Sequence, residues 1–225
     1  AIWIGLNGST TKISTREIDQ ILLEYTEAQL SLIVCEVKVD KGHQHFYIHL
    51  PDKTLVYDAP SSSAMGTPVW FILSSSLEGF SKYRAKNLVY VYNKWLCADT
   101  TTSKHGELVN NISSHFGESV GWDFGTSIVY NEGKGAIFHE LELVALTGRI
   151  ILGDNPTIWT SYSLDGETWS NEKPISAGKQ GQRDKRLVWL SQGNMKHWRV
   201  QRFRGTDETH ISMARLEARI EPLND

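Results

Sequence analysis

The chain has 225 residues, 40% of them hydrophobic and 22% charged, with a formal net charge of −3. That length suits one large all-β domain or two smaller ones, with enough residues to bury a sizeable core. The charge balance gives no general affinity for nucleic acid or an anionic membrane, and no apolar run approaches the roughly 20 residues of a spanning helix.

The first residues, Ala1-Ile2-Trp3-Ile4, read as a strand with no initiator Met and no signal peptide, as expected of a piece of a longer protein. Asn7-Gly8 then predicts a hairpin turn between AIWIG and STTKI. A helix is expected over about 14–31. Ser14 and Glu17 have capping-box spacing, and Ile18, Ile21, Leu22 and Tyr25 form an apolar stripe at the helical period. After Leu30 the period becomes two. Phe46, Ile48 and Leu50 fall on one strand face, and His43, His45, Tyr47 and His49 on the other. Pro51-Asp52-Lys53 makes a turn, and Thr54–Tyr57 returns as the hairpin partner. PSSSAMGTP reads as a loop.

Further strands are predicted at Val69–Leu73, Asn87–Tyr92 and Lys94–Asp99, with a tight turn at Asn93, and a short one at Glu107–Ile112. Strands at intervals of about 8–12 residues indicate a sandwich, barrel or propeller. Ser113 to Gly125 has no period and is read as a linker. In Ala136–Leu146, alternation sets Ile137, His139, Leu141, Leu143 and Ala145 opposite Phe138, Glu140, Glu142, Val144 and Leu146. Thr157–Ser163, Arg186–Leu190, His197–Phe203 and His210–Ile220 complete a β-sandwich. Cys35 and Cys97 are the only cysteines. Two thiols in apolar strand settings make no disulfide framework and point to reduced, buried side chains, in keeping with a cytoplasmic folding environment.

Four features invite a chemical reading. Gly117-Glu118-Ser119-Val120-Gly121 matches the hydrolase nucleophile elbow, but that motif needs a strand before it and a helix after it. Polar NNISSHF precedes it and no helix pattern follows, so no catalytic residue is assigned. His43 and His49 are about 20 Å apart along a strand and cannot share an ion. His43 and His45 would need further ligands from a neighbouring strand, so this face is read as solvated or partner-facing, with no metal and no cofactor. SYSLDGETWS is an Asp-Gly hairpin whose Trp169 is expected to pack on the sandwich core. An exposed Trp169 would instead favour a carbohydrate-binding or adhesin module. Finally, Lys179, Arg183, Lys185, Arg186, Lys196, Arg199, Arg202 and Arg204 face only Asp184 as an acid between 179 and 204. Such a stretch suits DNA phosphates or an acidic partner, or simply the solvated face of a strand pair. Trp189, Trp198 and Phe203 would have to be exposed to add a stacking platform.

The runs IDQILLEYTEAQL and FYIHLPDKTLVYDAPSSS, with SYSLDGETWS, DKRLVW and LEARIE further on, resemble the packaged-DNA stabilisation proteins, or tail accessory factors, of short-tailed, Salmonella-phage-type bacteriophages. The resemblance covers most of this chain but only the C-terminal half of the family protein, and residues 100–135 depart most from it. It implies a mainly β fold: part of a propeller-like domain over 1–115, containing the helix, then a β-sandwich over 116–225. It also implies a virion protein folded in the host cytoplasm, with no enzymatic activity and no membrane partner. The family forms a homo-oligomeric ring, a hexamer by analogy, between the portal-adaptor protein and the tail needle, near the tailspike, and helps retain packaged DNA. Contact between that DNA and the basic stretch is the implied site.

Overall fold

The computed structural model describes residues 1–110, 112–150, 154–207 and 211–223. The chain divides into two compact units, Ala1–Leu108 and Val109–Asp225.

The first unit opens with a hairpin of β1 (Trp3–Leu6) and β2 (Ser9–Lys12). Asn7 and Gly8 both have positive φ, as the predicted tight turn requires. The expected single helix is two short ones, α1 (Arg16–Leu23) and α2 (Glu27–Leu30). Thr26 ends the first by capping the second, in a reciprocal box with Gln29. The cap of α1 is Thr15 rather than Ser14. Ser14 is spent elsewhere: its hydroxyl accepts from the Ile2 N–H and donates to Asp19.

Strands β3 (Val34–Asp40), β4 (His43–His49), β5 (Thr54–Asp58) and β6 (Trp70–Leu73) form an antiparallel meander in sequence order. A four-stranded antiparallel meander of this order is the form that a propeller blade takes. The predicted stripe of α1 lies on this sheet: Ile18 packs with Ile48, Leu50 and Leu55, flanked by Ile21, Leu22, Tyr25 and Phe46. Each such buried aliphatic contributes about 1.5–3 kcal/mol. PSSSAMG is no loop but part of helix α3 (Ala59–Met65), with Pro60 in the first turn and Gly66 closing it at positive φ. A second sheet holds β7 (Ala85–Val91), β8 (Lys94–Asp99) and β9 (His105–Glu107). Its tight turn at Asn93 is as predicted. Cys97 is buried, whereas Cys35 is exposed, contrary to expectation, because β3 turns its Cys35, Val37 and Val39 face outward.

The second unit begins at Val109, ahead of the supposed linker, and the linker itself holds strands. There β10 (Ser114–His115) and β11 (Glu118–Ser119) pair, followed by β12 (Trp122–Gly125) and β13 (Val129–Tyr130). The remaining strands are β14 (Ala136–Leu146), β15 (Thr157–Ser163), β16 (Lys173–Ser176), β17 (Leu187–Leu190), β18 (Asn194–Met195), β19 (Trp198–Gly205) and β20 (Ser212–Pro222). His210, where the last strand was expected to start, lies outside the described residues.

One sheet runs β12-β19-β15-β16, with β13 also on β19; the other centres on β14, flanked by β17, β18 and β20. Leu143, Leu187 and Trp189 from the second sheet meet Ile158 and Phe203 from the first in the core. The predicted phase of β14 fails at its start. A β-bulge between Phe138 and Glu140 shifts the register against β20, so Phe138 and Leu141, assigned to opposite faces, are both buried.

Candidate functional site

The histidine row of β4 is placed by two hairpins, and its members have different fates. At the inner end His49 is buried. Its Nε2 is 2.7 Å from Glu36 Oε2, and its Nδ1 is 3.1 Å from the Thr54 hydroxyl. A neutral ring that donates from Nε2 and accepts at Nδ1 satisfies both contacts. Burial lowers the His49 pKa, against the opposing pull of Glu36. The other Glu36 oxygen accepts the Leu88 N–H at 2.8 Å, tying the blade to the β7–β9 sheet. Tyr47, also buried, stacks on His49 and meets the His45 ring edge-on. The solvated or partner-facing reading therefore fails for this end of the row.

At the outer end His43 and His45 stack with ring centroids 5.4 Å apart. Asp58, at the end of β5, sits directly opposite His45. His43 Nδ1 is 2.7 Å and His45 Nε2 3.8 Å from Asp58 Oδ2, and the Ser61 hydroxyl donates to the same oxygen. Burial raises the Asp58 pKa, but hydrogen bonds from Ser61 and His43 outweigh it and hold the carboxyl below its usual value. Burial lowers the pKa of His45. Sequence reasoning missed Asp58, though the signal was present: a turn at Pro51–Lys53 that pairs His49 with Thr54 also pairs His45 with Asp58.

The eight basic residues do not form one surface. Lys179, Arg183 and Lys185 lie exposed on the loop between β16 and β17, and Lys196 lies exposed between β18 and β19. Among the described residues these four form no salt bridge. Arg186 forks onto Glu142, Arg202 pairs with Asp123, and Arg204 forks onto Glu172. Arg199 is wholly buried. Its guanidinium lies over the Phe138 and Tyr162 rings, 4.3 and 3.8 Å from their centroids. It donates to Gln201 Oε1 and to the Gln192 carbonyl, and burial pulls its pKa down to about 10. Trp189 and Phe203 are core residues and offer no stacking face.

Ser119 sits exposed on β11 with strand β12 after it, so no helix N-terminus faces its hydroxyl. Asp165 accepts from the Glu167 and Thr168 N–H groups and from the Thr168 hydroxyl, which hold its carboxyl well below the usual range. Trp169 is 40% exposed rather than packed in the core, with Arg202 5.6 Å from its ring centre. The Asp165 turn is tight enough to close without the indole as a plug. On the first unit, Trp3, Ile4 and Val37 line an open apolar groove of about 390 Å³ beside β4.

Residues 1–113 match the family described as Bacteriophage P22 Gp10, beta-propeller, and residues 121–221 match Bacteriophage P22 Gp10, beta-sandwich. The chain belongs to the phage P22 Gp10 family. Both architectures agree with the observed sheets: the blade meander falls in the propeller match and the two-sheet core in the sandwich match. The tail hub protein gp10 of Salmonella phage P22 is 26% identical over 221 residues, which is 98% of this chain and 45% of that protein. The chain thus spans about half the length of that curated relative. In Gp10 terms, the histidine row belongs to the propeller part and the basic stretch to the sandwich part. The resemblance read from FYIHLPDKTLVYDAPSSS is borne out, and Gp10 family membership makes this a phage tail protein. No helix among the described residues is long and apolar enough to cross a membrane.

Proposed function

We propose that this protein is a structural, non-enzymatic hub component of a short-tailed phage tail, and that it acts by protein–protein contact. The observation that carries the reading is the match of both parts of the chain, in order, to the two Gp10 domains. On this reading the hand-over between the domains falls near residue 115, supported by the gap between the two family matches, while the compact units divide between Leu108 and Val109. In the virion the protein forms a homo-oligomeric ring, hexameric by analogy, between the portal-adaptor protein and the tail needle, with the tailspike nearby. There it helps retain packaged DNA. Exposed Val37, Val39, Val89, Tyr90 and Tyr92 on the first unit, with the groove beside β4, supply apolar contact surface of the kind such an assembly needs.

Within the sandwich, the exposed cations Lys179, Arg183, Lys185 and Lys196 are the ones available to phosphates or an acidic partner. The buried Arg199 drops out, and Arg186, Arg202 and Arg204 already have carboxylate partners. Native mass spectrometry of the full-length protein with its tail partners is expected to show a closed ring. A stable monomer under those conditions would overturn the reading.

The half-exposed Trp169 is the observation that favours the rival carbohydrate-binding reading. Glycan-array binding that is lost in Trp169→Ala, with the ring assembly intact, would establish the rival as a second activity.

A further inference from the structure

We propose that His43, His45 and Asp58 form a binding site for a divalent transition-metal ion of the zinc class, with its remaining coordination position open to solvent. One ligand atom from each residue can be chosen so that all three lie within 4.8 Å of one another. Zinc bound at 2.0–2.1 Å in a tetrahedron needs ligand atoms about 3.3 Å apart. The present separations of 2.7 and 3.8 Å from Asp58 Oδ2 bracket that value, so small side-chain rotations suffice.

A second observation points to a ligand. Asp58 is 4% exposed, yet its Oδ1 is buried with no hydrogen-bond partner. A buried carboxylate oxygen left bare is costly, and native structures rarely tolerate one without a role. Asp58 also holds the N-cap position of α3 without making a side-chain cap hydrogen bond. Its Oδ2 is turned toward the histidines, where it also accepts from the Ser61 hydroxyl.

The surroundings suit a cation. The His45 ring is fixed edge-on against Phe71, with centroids 5.6 Å apart, and against Tyr47 on the same strand. Lys38, across from His45 in the sheet, is neutralised by Asp40 at 2.9 Å. Two imidazoles and one carboxylate, with no thiolate, suit zinc and its first-row neighbours better than calcium or magnesium. His43 is half exposed, which leaves a path for the ion and for a fourth donor from water or a neighbouring subunit.

The test uses the purified chain, stripped with a chelator and dialysed, then titrated with zinc by calorimetry and followed by thermal melting. One saturable equivalent is expected, with a melting temperature that rises with zinc concentration as binding to the native state requires. Cobalt substitution should give the visible bands of a four-coordinate nitrogen–oxygen site without thiolate charge transfer. His43→Ala and His45→Ala each remove a ligand and should weaken binding by at least the roughly 10–100-fold that loss of a mere supporting contact costs. Should His45→Ala fail to fold, the half-exposed His43→Ala decides alone. His139→Ala, which removes an exposed histidine paired with Glu221, and Cys35→Ser should leave binding unchanged. Non-saturable uptake, zinc affinity left unchanged by His43→Ala, or binding lost in Cys35→Ser would each overturn the assignment.

Discussion

Each unit of this protein buries an arginine, and the two are neutralised in opposite ways. Arg84, just before β7, is bound by both carboxylate oxygens of Asp99, 3.0 and 2.6 Å away at the end of the neighbouring strand. The guanidinium holds the Asp99 carboxyl far below the usual range, and Thr101 and Thr102 donate to the same group. Arg199 forms no salt bridge among the described residues. Two aromatic rings, an amide side chain and one backbone carbonyl take the place of a counter-ion. The acid that pairs with Arg84 comes from the same hairpin, as befits a meander of sequential strands. The partners of Arg199 come from β14, β15, the turn after β17 and its own strand, as befits a sandwich closed by distant segments. Charge burial thus follows topology: a local fold can use a local acid, whereas the sandwich core assembles its cation site from whatever the crossing strands bring.

The sharpest way to break this comparison is Arg199→Ala. It opens a cavity between the two rings and leaves Gln201 Oε1 and the Gln192 carbonyl without donors, so a loss of about 3–5 kcal/mol is expected in urea denaturation. Arg199→Lys should restore only part of it, because an ammonium cannot stack flat between rings.

A smaller loss of melting temperature is expected for Asp99→Asn, which keeps shape and one acceptor oxygen but leaves Arg84 without a counter-charge. The wild-type Asp99 has a depressed pKa, so its contribution is present above about pH 4 and lost as pH falls further. The variant should lack that part of the acid limb. If Asp99→Asn costs more than Arg199→Ala, the ring-held arginine is the less critical of the two.

The mildest effect is a pH slope confined to the first unit. Burial lowers the folded pKa of His49 below its unfolded value of about 6.5, so the unfolded chain takes up the proton first. Stability is therefore complete above that pH and declines as pH falls from 7 to 5; His45 acts in the same direction. Melting curves of His49→Gln should show a shallower decline. Arg199 stays charged throughout this range and contributes no slope.

Much of the first unit was legible because its signals are local. The Asn7-Gly8 and Asn93 turns, the stripe of α1 and the register of the Pro51–Lys53 hairpin all need only neighbouring residues. The helix that split at Thr26, and α3 hidden in PSSSAMG, show where capping outweighs composition. In the second unit the bulge at Phe138 defeated alternation, since a single extra residue reverses every face after it.

The amino-acid sequence by itself determined the β-rich class, the hairpins and the family, because turn chemistry, period and signature runs are properties of contiguous residues. It could not tell which of eight basic residues would be surface, because a charge count carries no burial. Only the folded chain put Arg199 between Phe138 and Tyr162 and brought Asp58 to the two histidines. Those placements come from pairings between separate strands, and there the energetics of burial rather than local propensity decide the outcome.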